Sequence, residues 1–90
     1  MLIEIATFRV KIDETDFAEL DARVQTDFVY QQPGCVRRTT ARTPDGEYLV
    51  LTFWNSMKDA EAAESSDDPL WREFLAAVDG YSITRYTSLD

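Results

Sequence analysis

The side chains able to carry chemistry are few and unevenly spaced. Cys35 is the single thiol, and Arg37 and Arg38 follow it closely. Neighbouring guanidiniums favour the thiolate, the nucleophilic form of cysteine. The chain has no histidine, so neither the commonest general base nor the commonest transition-metal ligand is present. Cys35 therefore reads first as a small apolar residue opening a strand, and a nucleophile only second. Arg37, Arg38 and Arg42 form a basic cluster in an otherwise acidic chain. Such a cluster can hold a phenolate, carboxylate or enolate, or it can pair with the chain's own carboxylates. Strand alternation sets Arg37 against Arg38 and Arg42, so one pocket cannot use all three without a bulge.

Trp54 and Trp71 offer flat surfaces for a planar ligand, although aromatic residues at such positions also build cores and interfaces. Trp71 lies on a helical apolar stripe. Trp54 closes a strand and is the better ligand candidate. Tyr48, Tyr81 and Tyr86 could move protons if desolvated, but no spacing pairs them. Glu61, Glu64, Asp67 and Asp68 lack the ligand spacing of a calcium loop and read as a solvated face.

These residues belong to a chain of 90 residues, the length of one domain, taken as 1–90. Seventeen acidic and 9 basic residues give a formal charge of −8, which repels nucleic acid and anionic membrane surfaces. A hydrophobic fraction of 44% is that of a folded domain rather than a disordered segment. One cysteine, no long apolar run and no cationic leader point to a cytoplasmic protein without disulfides.

The elements that must position these groups follow from periodicity. Leu2 to Lys11 reads as a strand, with Ala6, Phe8 and Val10 on one face and Ile3, Ile5, Thr7 and Arg9 on the other. Asp13 caps a helix whose stripe is Phe17, Leu20, Val24 and Phe28, stopped by Pro33-Gly34. Val36–Thr43 and Tyr48–Trp54 form a hairpin through Asp45-Gly46. A two-residue loop there sets Thr43 opposite Tyr48, Ala41 opposite Val50, Thr39 opposite Thr52 and Arg37 opposite Trp54. Ser56 and Asp59 form a capping box, Ser65–Asp68 interrupts the helix, and Asp68-Pro69 starts another bearing Trp71, Phe74, Leu75 and Val78. Gly80 ends that helix, and Tyr81–Leu89 is the last strand.

The order is that of an α+β, ferredoxin-like βαββαβ fold: a four-stranded antiparallel sheet with helices on one face. The other face is expected to carry Ile3, Ile5, Tyr48, Val50 and Trp54, too much apolar surface to leave in water. A second copy covering it would make a homodimer with a barrel-like interior. Thr7, Arg9, Arg37, Thr39 and Thr52 would line a wet cavity there.

Several segments together resemble one family. Phe8-Arg9-Val10-Lys11, Pro33-Gly34-Cys35, and Tyr48-Leu49-Val50-Leu51-Thr52-Phe53-Trp54-Asn55-Ser56 followed by Asp59-Ala60 are similar to the antibiotic biosynthesis monooxygenases. The resemblance runs over nearly the whole chain and implies a dimeric α+β barrel. It also implies either metal- and flavin-free oxidation of polycyclic phenols or, in other members, haem degradation. Haem-degrading members use a histidine, absent here, and a first-strand asparagine, where this chain has Thr7 or its neighbour. The family's second-helix tryptophan falls near Ala62–Glu64, with Trp71 shortly after. The expectation is a cofactor-free protein binding a planar phenolic or quinol-type molecule through Thr7, Arg9, Arg37, Thr52, Trp54 and Trp71. In this scheme Arg9 or Arg37 would stabilise developing negative charge, and Trp54 would orient the ring. The alternative is a non-catalytic ligand-binding or assembly module of the same fold.

Overall fold

In the computed structural model, which describes residues 1–90, the first strand, β1, is Leu2–Val10. Asp13 accepts a hydrogen bond from Thr15 N (3.0 Å) and caps α1, Glu14–Asp27. Phe17, Leu20, Val24 and Phe28 point from it into the core. The helix ends six residues before Pro33, earlier than the Pro-Gly signal suggests. A 3-10 turn, Val29–Gln31, follows it, and the side-chain amides of Gln31 and Gln32 donate to the carbonyls of Thr26 and Phe28. These bonds satisfy acceptors that a helix end leaves free.

The hairpin pairs β2 (Cys35–Arg42) with β3 (Tyr48–Trp54) in a register one residue away from the expected one. Arg42 faces Tyr48, Thr40 faces Val50 and Arg38 faces Thr52. The turn is the cause. Gly46 N donates to Thr43 O, Thr43 N donates to Glu47 O, and Gly46 takes a φ of +86°. That is a three-residue loop ending in a left-handed glycine, not the two-residue loop assumed from Asp45-Gly46. A second irregularity lies between Cys35 and Arg37, leaving Val36 without a register partner.

Ser56 Oγ accepts from Asp59 N and so caps α2 (Met57–Glu64), but Asp59 Oδ2 accepts from the Ser56 hydroxyl rather than from its backbone N–H, so only half of the expected capping box forms. Asp68 then caps α3 (Pro69–Ala77) by accepting from Leu70 N at 2.8 Å. β4 begins at once, at Val78, and runs to Thr87. Gly80, expected to separate helix from strand, instead lies inside β4 with a φ of +65°, beside a register break opposite Thr7–Arg9.

The sheet order is β2-β3-β1-β4, all pairs antiparallel, with the helices on one face. The fold is thus α+β and ferredoxin-like. The helix-covered face of β1 and β3 carries Leu2, Glu4, Ala6, Phe8, Tyr48, Val50, Thr52 and Trp54. This corrects the expectation that Tyr48, Val50, Thr52 and Trp54 face away from the helices. Their partners across β1 are the buried, even-numbered residues, and burial of Phe8 beneath the helices forces the rest of the row inward. The opposite face carries Ile3, Ile5, Thr7, Leu49, Leu51 and Phe53, joined by Arg37, Thr39 and Tyr86. No element of the chain covers it.

Aromatic rings fill the space between layers. Phe8 stacks on Tyr48 (5.7 Å between centroids), and Phe17 meets both edge-on. Trp71 is stacked between Phe28 (5.4 Å) and Phe74 (5.3 Å). Each such pair contributes about 0.5–1.5 kcal/mol beyond the area it buries. No helix is long and apolar enough to cross a membrane.

Candidate active site

The layers do not close completely. Between the sheet and α2–α3 lies a narrow, partly open cavity of about 30 Å³. It has room for about two water molecules. That is far smaller than the about 300–1,000 Å³ of small-molecule sites, so a fused-ring ligand enters only if the walls move apart. Its walls are mostly apolar: Phe28, Val50, Trp54, Trp71, Phe74 and Ile83 supply most of the surface. Trp54 arrives from the end of β3, and Trp71 from the first turn of α3.

Polar groups converge at one end. Glu4 accepts from Trp54 Nε1 (3.3 Å) and from Arg85 Nε (2.8 Å). Arg85 also donates through Nη2 to Glu64 Oε1 (2.7 Å), linking β4 to the last residue of α2. Trp71 Nε1 donates to the Glu64 carbonyl (3.1 Å), so both indoles are oriented by the same network. Burial works to lower the Arg85 pKa, but hydrogen bonds to Glu64 and Glu4 overcome it and raise the value further. Tyr81 projects into the same space. Burial, reinforced by the charges of Glu4 and Glu64, pushes its phenol well above the ordinary value, so it stays protonated.

Arg38 approaches from β2. Its side chain is 3% exposed and donates to Asp21 Oδ1 (2.7 Å) and Gln25 Oε1 (3.2 Å) on α1, with its guanidinium 5.8 Å from the Phe74 ring. Tyr30 Oη accepts from the Arg38 backbone N–H and donates to its carbonyl. The partner of this arginine is thus an internal carboxylate, and the pair is buried rather than on the surface.

The structure divides the residues expected to bind ligand. Thr52, Trp54 and Trp71 line the cavity under the helices. Thr7, Arg9 and Arg37 stand on the opposite face of the sheet. Arg9 is exposed, lying near Glu47 (3.9 Å) and donating to the carbonyl of Asp45. Arg42 likewise pairs with Glu14. Cys35 packs against the core, and burial raises its thiol pKa, with Arg38 and a backbone hydrogen bond opposing. Glu4 and Arg85 were not picked out from the sequence, and Glu64, read there as part of a solvated face, is 46% exposed but bonded to Arg85. Glu4 had a usable signal: it shares strand alternation with Leu2, Ala6 and Phe8, a carboxylate within an inward apolar row.

A four-stranded antiparallel sheet roofed on one face by helices defines the ferredoxin-like class of α+β domain. The family model described as antibiotic biosynthesis monooxygenase matches residues 1–79, and the chain belongs to that family. Its structure is similar to that of SnoaB, a cofactor-independent oxygenase from Streptomyces nogalater (TM-score 0.84, 22% identity, covering 99% of this chain and 93% of that one). It is also similar to a proposed antibiotic biosynthesis monooxygenase from Nitrosomonas europaea (TM-score 0.76, 23% identity, 100% of both chains). A conserved protein from Methanosarcina mazei Go1 shares the fold as well (TM-score 0.78, 15% identity, 97% and 91%). At these identities the likeness establishes the fold. No curated protein matches the sequence significantly.

Proposed function

We propose that this protein binds a planar phenolic or quinol-type molecule in the helix-roofed cavity and oxidises it with molecular oxygen, without metal or flavin. The observation that carries this reading is the cavity itself: aromatic walls on several sides, with hydrogen-bonding groups gathered at one end. Flat apolar walls with few polar anchors suit a fused-ring ligand once they part to admit it. SnoaB, similar in fold, is a cofactor-independent oxygenase. In such a reaction the deprotonated substrate supplies the electrons. A ring carbon bearing two hydrogens takes up O₂ as a hydroperoxide, which loses water to leave a carbonyl.

This reading moves the ligand from the space between two sheets to the space beneath the helices. Thr7, Arg9 and Arg37 then belong to a face covered by a second copy of the chain, and the working unit is a homodimer. A non-catalytic ligand-binding role is the second reading. It is favoured by the pairing of Arg38, which lines the cavity, with Asp21, and of Arg85 beside the cavity with Glu4 and Glu64, which leaves neither free to neutralise a developing anion.

Oxygen uptake with a panel of anthrones and hydroquinones separates the two readings. A rate above buffer for at least one member is expected. Binding without uptake favours the second reading, and absence of both rejects each.

A further inference from the structure

The charge inventory of the cavity specifies which form of ligand it takes. Two carboxylates, Glu4 and Glu64, line its polar end, and the guanidinium of Arg85, just outside the lining, bridges them. The guanidinium lies between the carboxylates, so this end has a net charge of −1. Arg38, from the other side, is matched by Asp21 at 2.7 Å. No lining cation is left to receive a phenolate or carboxylate. An anion placed here would meet uncompensated negative charge in a partly desolvated site, where such repulsion is strong.

The unused hydrogen-bonding capacity points the same way. A carboxylate offers about four lone-pair sites. Glu4 uses two, one for Trp54 and one for Arg85, and its side chain is 13% exposed. Glu64 is 46% exposed and sits at the mouth. Tyr81 is held protonated and cannot accept a proton from a ligand at neutral pH. Cys35, whose thiol also feels Glu4, is not among the lining residues.

We propose that Glu4 is the ligand-recognition residue of this cavity: its carboxylate accepts a hydrogen bond from the hydroxyl of a neutral phenol, and the ionised phenol is excluded. This deepens, and rests on, the reading of the cavity as a phenol site. If oxidation follows, the same carboxylate receives the hydroxyl proton as the phenolate forms, a transfer from oxygen to oxygen that needs no other group. A carboxylate can act as the base toward a weak acid when the site is preorganised, as the general-base aspartate of ketosteroid isomerase does.

The test uses the full-length chain, with 1-naphthol and 1-methoxynaphthalene as probes and quenching of tryptophan fluorescence as readout. A hydrogen bond to a charged acceptor corresponds to about 10–100-fold in affinity, and that is the expected preference for the naphthol. Glu4→Gln should reduce it to about threefold or less, while Glu73→Gln on the outer face of α3 leaves it intact. A preference absent in the wild type, or retained in Glu4→Gln, overturns the proposal, and so does failure of 1-naphthol to bind. If Glu4→Gln does not fold, the wild type still decides, with a nitronaphthol whose hydroxyl ionises near neutrality. Its affinity should fall as pH rises through the ligand's own pKa, because the anion meets Glu4 and Glu64 with only Arg85 between them. Constant or rising affinity contradicts the proposal. Oxygen uptake scored in parallel keeps the two ideas apart: uptake without discrimination between the probes rejects the role of Glu4 alone, and discrimination without uptake rejects the oxygenase alone.

Discussion

Tyr81 shows how one residue can report on the environment of the cavity. Its phenol pKa is raised mainly by burial, so between about pH 10 and the folded-state value the native chain holds a proton that the unfolded chain has released. The unfolded state then binds fewer protons, and stability falls as pH rises. The slope is about 1.4 kcal/mol per pH unit in that window, and it is absent at neutral pH, where both states are protonated. Tyr81→Phe should abolish this component, so urea unfolding at pH 8 and pH 11 should show a smaller loss for the variant than for the wild type. An identical loss in both proteins would mean that the phenol is solvated. The same burial logic accounts for Arg38. A lone guanidinium would be costly at this depth, and Asp21, Gln25 and the Phe74 ring together hold it there.

Elements were legible in the sequence where local chemistry decides them. Asp13, Ser56 and Asp68 start helices as their side chains dictate, because each supplies an acceptor to a free backbone N–H. The four strands and their order of occurrence follow from alternation and turn residues. The inward face of β3 did not. Tyr48, Val50, Thr52 and Trp54 form one row, Leu49, Leu51 and Phe53 the other, and both are apolar enough to be buried. Periodicity cannot rank two such rows, and a one-residue difference in the turn inverted the pairing with β2. The candidate site was therefore half legible: its tryptophans and Thr52 were found, but its charged end spans β1, β4 and α2, whose juxtaposition is a tertiary fact. At this scale Gly34 is the sharpest test. It has a φ of +83°, and an added Cβ would overlap the Asp59 carboxylate that bonds the Ser56 hydroxyl at the α2 cap. Gly34→Ala should cost about 2–3 kcal/mol in denaturant unfolding, the sum of a left-handed alanine and a damaged cap. A loss below about 0.5 kcal/mol, the range of neutral surface changes, would show that the junction before β2 is looser than described.

For the whole molecule, the question is what becomes of the face that no helix covers. Ile3, Ile5, Leu51 and Phe53 lie partly exposed along its centre, with Leu49 36% and Tyr86 52% accessible. A contiguous apolar surface of this kind marks an association site in a soluble domain. A second copy applied to it would bury the same patch on both subunits, as two-fold symmetry requires. Sedimentation velocity at micromolar concentration should give a species of twice the 10.3 kDa chain mass, and Phe53→Glu should convert it to monomer. A wild-type monomer would remove the homodimer from the proposed function. It would leave the cavity in place, since every lining residue belongs to one chain.

That separation leaves the helix-roofed cavity as the central claim, and it can be examined directly by NMR. Titration of the ¹⁵N-labelled protein with 1-naphthol should shift both indole N–H resonances, those of Trp54 and Trp71, together with backbone amides of Thr52, Ala63 and Ile83, in a saturable manner. Shifts confined to Thr7, Arg9, Arg37 and Leu51, or no saturable shift at all, would contradict it.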